Sequence, residues 1–320
     1  MTLLRGGVAA RVLPSLPHGT RLYLPSLPSD PPDAIERALR LMREAHRAIT
    51  PVPHIAASRV TSEAELLRTL DTWQTATSNH LSEVLIVRGD PRAHSTEVGG
   101  DSAAECADQQ NAAQTSAAAF SESLEVVESG LLQARGISCT GLCGHPEGVG
   151  PLSAEAALQP LLAKVRAAEK GGMGARVVTQ FCFDAGRSTD YVDSLRDAGI
   201  LSPVSVGVVG PAPTATLARM ARQCGVAPPH VSANSQSNSP TDAHAAGDDD
   251  DGAASGARWP GRYVAHLRDW QGERGSVRGF ADLHLYPFGG VRSTLSWLGA
   301  EAAALGLDVP RELLRDADAD

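Results

Sequence analysis

The chain has 320 residues, 42% hydrophobic and 20% charged, enough apolar material for the core of one large domain. A formal net charge of −9, with no basic stripe interleaved with aromatics, argues against a nucleic-acid partner. No apolar run approaches the ~18–20 residues of a membrane span and none resembles a signal-peptide core, and five scattered cysteines form no disulfide framework. A cytoplasmic, reducing location is expected, with no membrane partner.

Met1–Ser29 holds Arg5, Arg11 and Arg21 and no acid. That composition is compatible with an organellar transit peptide, but Arg21–Leu27 reads as a strand of the body. Pro31–Thr50 has helical periodicity, with Ile35, Leu39, Leu41, Met42 and Ala45 on or near one face. His54–Ser58 reads as a short strand. Thr61–Glu65 opens a helix with capping-box character that runs to about Thr77. Val84–Val87 is fully apolar, as expected of a strand buried on both faces of a parallel sheet.

Approximately residues 91–115 are rich in Ala, Ser, Gly, Gln and Asp, and read as a low-complexity insertion. A helix is expected at about Ser116–Ala134, a strand at Ile137–Leu142 and a long helix at Leu152–Lys170. Val177–Phe183 reads as a strand, Thr189–Ala198 as a helix ended by Gly199, and Val204–Val209 as a strand. Thr214–Cys224 is a helix with Gly225 just past its end. A second insertion spans approximately 232–257 and contains the run Asp248–Asp251, a solvated acidic loop rather than a Ca²⁺ loop, which needs spaced ligands. Arg262–Asp269 has helical character, Leu283–Phe288 is the last strand and Arg292–Leu305 the last helix.

Seven β-like segments alternate with helices along residues 1–320. Alternation implies an α/β class with a parallel sheet. No G-x-G-x-x-G follows a strand and there is no P-loop, which disfavours a Rossmann reading. Seven is one short of a closed eight-stranded barrel, so the expected architecture is a single (β/α)8 TIM-barrel-like domain lacking a strand, with two low-complexity insertions, and a doubly wound sheet is the alternative.

Four apolar segments end in polar groups, as barrel strands do where they build a site. They are Pro53-His54-Ile55-Ala56-Ala57, Val84 to Asp90 (VLIVRGD), Arg176 to Asp184 (RVVTQFCFD), and Asp282 to Gly290 (DLHLYPFGG). An amide inside an apolar strand, Gln180, is costly unless paired or wet, and so marks a site. Asp90 has a simpler reading as a turn cap, His54 as a satisfied half-buried histidine, His145 as a turn residue before Pro146, His284 as core, and Arg88 as an ion-pair partner. Cys139, Cys143 and His145 have no zinc-finger spacing, so no metal is expected.

In order and wording, these segments, together with Gly144-His145-Pro146-Glu147-Gly148, resemble the methylenetetrahydrofolate reductase family, closest to its proteobacterial-type branch. The resemblance runs from about His18 to Trp297. It implies a (β/α)8 barrel, bound FAD, and NAD(P)H-driven reduction of 5,10-methylenetetrahydrofolate to 5-methyltetrahydrofolate in one-carbon and methionine metabolism. It implies that Asp90 tunes the flavin, that His54, Arg88, His145 and Lys164 contact the cofactor, and that Gln180 binds the pterin of the tetrahydrofolate substrate. Asp90 and Gln180 would be the catalytic pair. Phe183 would stack on substrate or nicotinamide, with Tyr286 and Arg292 at the substrate end.

The family carries a catalytic Glu on its first strand, and Met1–Val12 contains no Glu and no strand of that type, so by this resemblance the absent strand is the first. Pro160 and Ala163 stand where the family has polar cofactor contacts. These departures leave open a flavin-independent relative, and a non-catalytic folate- or flavin-binding relative acting as a binding or regulatory subunit. An open barrel exposes strand edges, so homo-oligomerisation or low solubility is expected.

Overall fold

The computed structural model describes residues 13, 16, 18–27, 29–45, 49–89, 119–229 and 260–301. Both expected insertions, Asp90, and the Met1–Val12 segment lie outside them. Seven strands form one parallel sheet in chain order. They are β1 (Arg21–Leu24), β2 (Thr50–Ala56), β3 (Glu83–Val87), β4 (Cys139–Gly144), β5 (Gly174–Thr179), β6 (Val204–Val209) and β7 (Asp282–Tyr286). The helices between them are α1 (Ala34–Ala45), α2 (Glu63–Ala76), α3 (Ser123–Glu128), α4 (Ala154–Lys170), α5 (Ala185–Asp197), α6 (Thr214–Cys224) and α7 (Gly261–Arg278), with α8 (Val291–Glu301) after β7.

The sheet curls into a half-barrel, consistent with a TIM-like barrel that lacks a strand. Successive strand residues point to opposite faces, and the two faces have separate cores. Outward residues such as Leu24, Ile55, Ile86, Leu142, Val177 and Val206 join the helices in the main core. Inward, Val52, Leu85 and Val178 pack with Tyr23, Val87 and Cys143. The inward side chains follow barrel layering, in which alternate strands supply one layer. The odd strands β1, β3, β5 and β7 contribute Arg21, Glu83, Arg176 and Asp282 at the floor, then Tyr23, Leu85, Val178 and His284 above them. Among the described residues, no strand pairs with the outer edge of β1 or of β7.

Helix ends are set by local chemistry. The Ser62 hydroxyl accepts from Glu65 N at 3.1 Å, while the Glu65 carboxylate accepts from Thr61 N at 2.7 Å, so the expected cap of α2 forms. Gly225 ends α6 in the left-handed region with φ 66°.

Some elements differ from the sequence reading. The helix expected at Ser116–Ala134 is instead the short α3 followed by a 3-10 turn at Gln133–Arg135, because Gly130, at φ 74°, breaks the run. The strand expected at Val177–Phe183 runs earlier, Gly174–Thr179: beyond it the Gln180 side chain accepts from Phe181 N at 3.0 Å and turns the chain. The next helix begins at Ala185 rather than Thr189 because Asp184 caps it. The helix expected at Arg262–Asp269 extends to Arg278 with a break at Gly275, through a polar, exposed stretch that carries no apolar period.

Candidate functional site

The inward side chains of β1, β2 and β7 form a chain of rings. Tyr23 stands edge-on to His284 at a centroid distance of 4.4 Å, and His284 stands edge-on to Tyr286 at 4.7 Å. Tyr23 also approaches His54 at 6.2 Å. Period-2 alternation places these groups in one interior, which is why His284 belongs with them. The Tyr23 hydroxyl and His54 Nε2 are buried with no hydrogen-bond partner among the described residues. Desolvation, reinforced by His284, pushes the His54 imidazole down to about 3, and desolvation pushes His284 down to about 4. Both are neutral near pH 7. Desolvation first, and the Glu83 carboxylate next, raise the Tyr23 phenol.

At the C-terminal ends of β5, β6 and β7 an aromatic group forms. Phe181 is buried and contacts Phe183 at 5.7 Å, Tyr286 at 5.3 Å and Phe288 at 5.1 Å. The Tyr286 hydroxyl donates to the Thr179 carbonyl at 3.0 Å, tying β7 to β5 across β6. That span needs a residue on β6 with no side chain. A Cβ on Gly207 would sit 2.7 Å from the Thr179 carbonyl oxygen, so only glycine leaves room. Gln180 is half-buried in the same region, and its NH2 group has no hydrogen bond to another described residue. Gln180, Phe183 and Tyr286, predicted separately, therefore occupy one end of the sheet.

A second set gathers beyond β3 and β4. His145 follows β4, half-buried, with its backbone N–H donating to the Tyr191 hydroxyl at 3.0 Å. Desolvation first, and Lys164 next, push its imidazole down to about 4. Lys164 on α4 donates to the Ser123 hydroxyl at 3.2 Å, and burial lowers its ammonium. Arg88 is exposed beyond the inward Val87 and pairs with Glu122 at 3.3 Å. Arg88 and Lys164 thus lie beside consecutive residues, Glu122 and Ser123. Two cationic side chains, Arg88 with its charge met by Glu122, stand near one rim segment, with the neutral His145 imidazole just beyond β4.

Arg292 is exposed on the first turn of α8. Three partners were not singled out in the sequence: Tyr23, Tyr191 and, although it lies inside the RVVTQFCFD segment, Cys182. Cys182 donates to Glu147 Oε1 at 3.1 Å, and Glu147 Oε2 accepts from Ala227 N at 2.6 Å. Glu147 therefore joins the turns after β4 and β5 to the segment after α6. Burial, with the Glu147 bond, pushes the Cys182 thiol up to about 12, so it is a donor rather than a nucleophile. Alternation alone flags Tyr23; Tyr191 and Cys182 depend on contacts between elements. Among the described residues, no three His, Cys, Asp or Glu side chains gather as a metal-ligand set, and no helix is long and apolar enough to cross a membrane. No protein-family model matches the chain.

Proposed function

We propose that the chain is a folate-linked oxidoreductase of the methylenetetrahydrofolate reductase type, reducing a methylene-tetrahydrofolate with NAD(P)H in one-carbon metabolism. The observation that supports this reading most is the gathering of Gln180, Phe183 and Tyr286 at the C-terminal end of the sheet, where barrel enzymes bind substrate. An amide that donates and accepts suits a pterin edge, and the rings beside it suit a flat heteroaromatic face. A bound FAD would supply hydride acceptance and donation. Arg88 and Lys164 would hold its phosphates and His145 would offer a neutral hydrogen-bonding edge. Gln180 orients the pterin and Phe183 covers it. The half-buried rings of Tyr23, His284 and Tyr286 form a largely apolar floor beneath it.

A second reading is a folate- or flavin-binding relative without turnover. Its support is the placement of the inward strand carboxylates: Glu83 and Asp282 lie at the floor, bonded to Arg21 and Arg176, far from the C-terminal end. Absorbance spectra of purified protein, before and after anaerobic NADH, test both. A flavin band that bleaches, followed by folate-dependent reoxidation, supports the reductase. Flavin or folate binding without either step supports the second reading, and neither binding nor NAD(P)H oxidation refutes both.

A further inference from the structure

We propose that the seam between β1 and β7 is latched by side chains, with Asp282 reaching Arg21 across the gap and closing the half-barrel floor without main-chain bonds. Neighbouring strands lie about 4.8 Å apart, so edges separated by one strand width stand roughly 10 Å apart. Among the described residues no ladder hydrogen bond joins β1 to β7, while an arginine side chain reaches from one to the other. Arg21 Nη1 lies 3.6 Å from Asp282 Oδ2. Each edge residue is also anchored from inside. Arg21 Nε donates to Glu83 Oε2 at 3.0 Å, and Arg176 Nη1 donates to Asp282 Oδ2 at 3.0 Å. Arg176 Nε lies 3.7 Å from Glu83 Oε1, and its Nη1 also donates to the Ser205 hydroxyl at 3.1 Å.

The four charges make a closed, neutral ring with one member from each odd strand. Its inner half is buried, with Glu83 4% and Arg176 8% exposed. Its outer half is the seam, where the Arg21 and Asp282 side chains are 34% and 41% exposed. An isolated surface pair of this exposure contributes little. Here the partners are pre-positioned by buried charges, so the cost of ordering two long side chains is largely met before they meet. Removing Asp282 also leaves Arg176 with a buried, under-compensated charge. One layer above, the edge contact of Tyr23 with His284 repeats the crossing with rings.

Hydrogen exchange on the full chain tests the latch, using Asp282→Asn, Arg21→Leu and the double variant. Amides of Arg21–Leu24 and Asp282–Tyr286 are expected to exchange at least about tenfold faster in each single variant, while β4, which carries no member of the ring, keeps its protection. The double variant is expected to exchange more slowly than the product of the two single effects predicts, because the Arg21–Asp282 crossing is lost in both, whereas the bonds to Glu83 and Arg176 are lost separately. A uniform rise in all strands, no rise at the seam, or additive effects would overturn the proposal. Should Asp282→Asn fail to fold, Arg21→Leu alone provides the comparison of the seam with β4, and a seam that exchanges no faster there overturns the latch equally.

Discussion

Acid is expected to destabilise this protein through the two neutral histidines of the sheet interior. His54 and His284 are held at about 3 and about 4 by desolvation, against a usual value of 6.5. Between those limits the unfolded chain binds protons that the folded chain refuses. Stability therefore rises with pH in this window. It is lost progressively as pH falls below about 6.5, and the loss levels off beneath the folded values. One pKa unit corresponds to about 1.4 kcal/mol. At about pH 5 each histidine has lost roughly 2 kcal/mol, and the two together up to about 4, against a typical total of about 5–15 kcal/mol. Urea denaturation from about pH 7.5 to about pH 5 reads this directly. Replacing either residue with glutamine should flatten the stability slope by about 1.4 kcal/mol per pH unit below pH 6. His145, held at about 4, adds a slope of the same sign that both variants retain. An unchanged slope in His54→Gln and in His284→Gln would refute the desolvated, neutral state of the two imidazoles.

Three further outcomes follow from packing and hydrogen bonding. Gly207→Ala forces a Cβ against the Thr179 and Gln180 backbone, and should cost about 1–3 kcal/mol by chemical denaturation; a neutral effect would mean that β5 yields freely. Arg196 donates to the carbonyls of Ile200, Ser202, Arg278 and Gly279, so Arg196→Met should cost about 3 kcal/mol or more and loosen both loops in hydrogen exchange, with protected loops contradicting the clamp. Tyr286→Phe loses the bond to the Thr179 carbonyl, with an expected cost of about 1 kcal/mol and, under the proposed function, weaker folate binding. Stability lost with folate binding unchanged would assign Tyr286 to the scaffold alone.

The strand segments were legible where composition was one-sided. Val84–Val87 and Val204–Val209 are apolar throughout, Ser205 and Gly207 aside, and both fall inside strands. Boundaries were less legible where side chains compete with the ladder, as Gln180 does beyond Thr179 and Asp184 does at the start of α5. For the candidate site, motif wording singled out Gln180, Phe183, His145 and Tyr286, but not what they touch. Tyr191 lies in ordinary helical sequence and Cys182 sits unflagged inside a quoted motif, and their roles come from backbone and carboxylate partners distant along the chain. Arg88 shows the converse: a motif residue that is exposed and paired with Glu122.

Alternating apolar strands and helices were sufficient by themselves for the α/β class and a parallel order, because period and length are local properties. The curl of the sheet is not local. It depends on how seven strands stagger, and it alone turns Arg21, Glu83, Arg176 and Asp282, spread over much of the chain, into one neutral ring. In sequence, each is a charge beside apolar neighbours, indistinguishable from a solvated strand end. Only the tertiary structure decides that Glu83 and Arg176 are buried partners, because compensation of a charge depends on what lies opposite it in space.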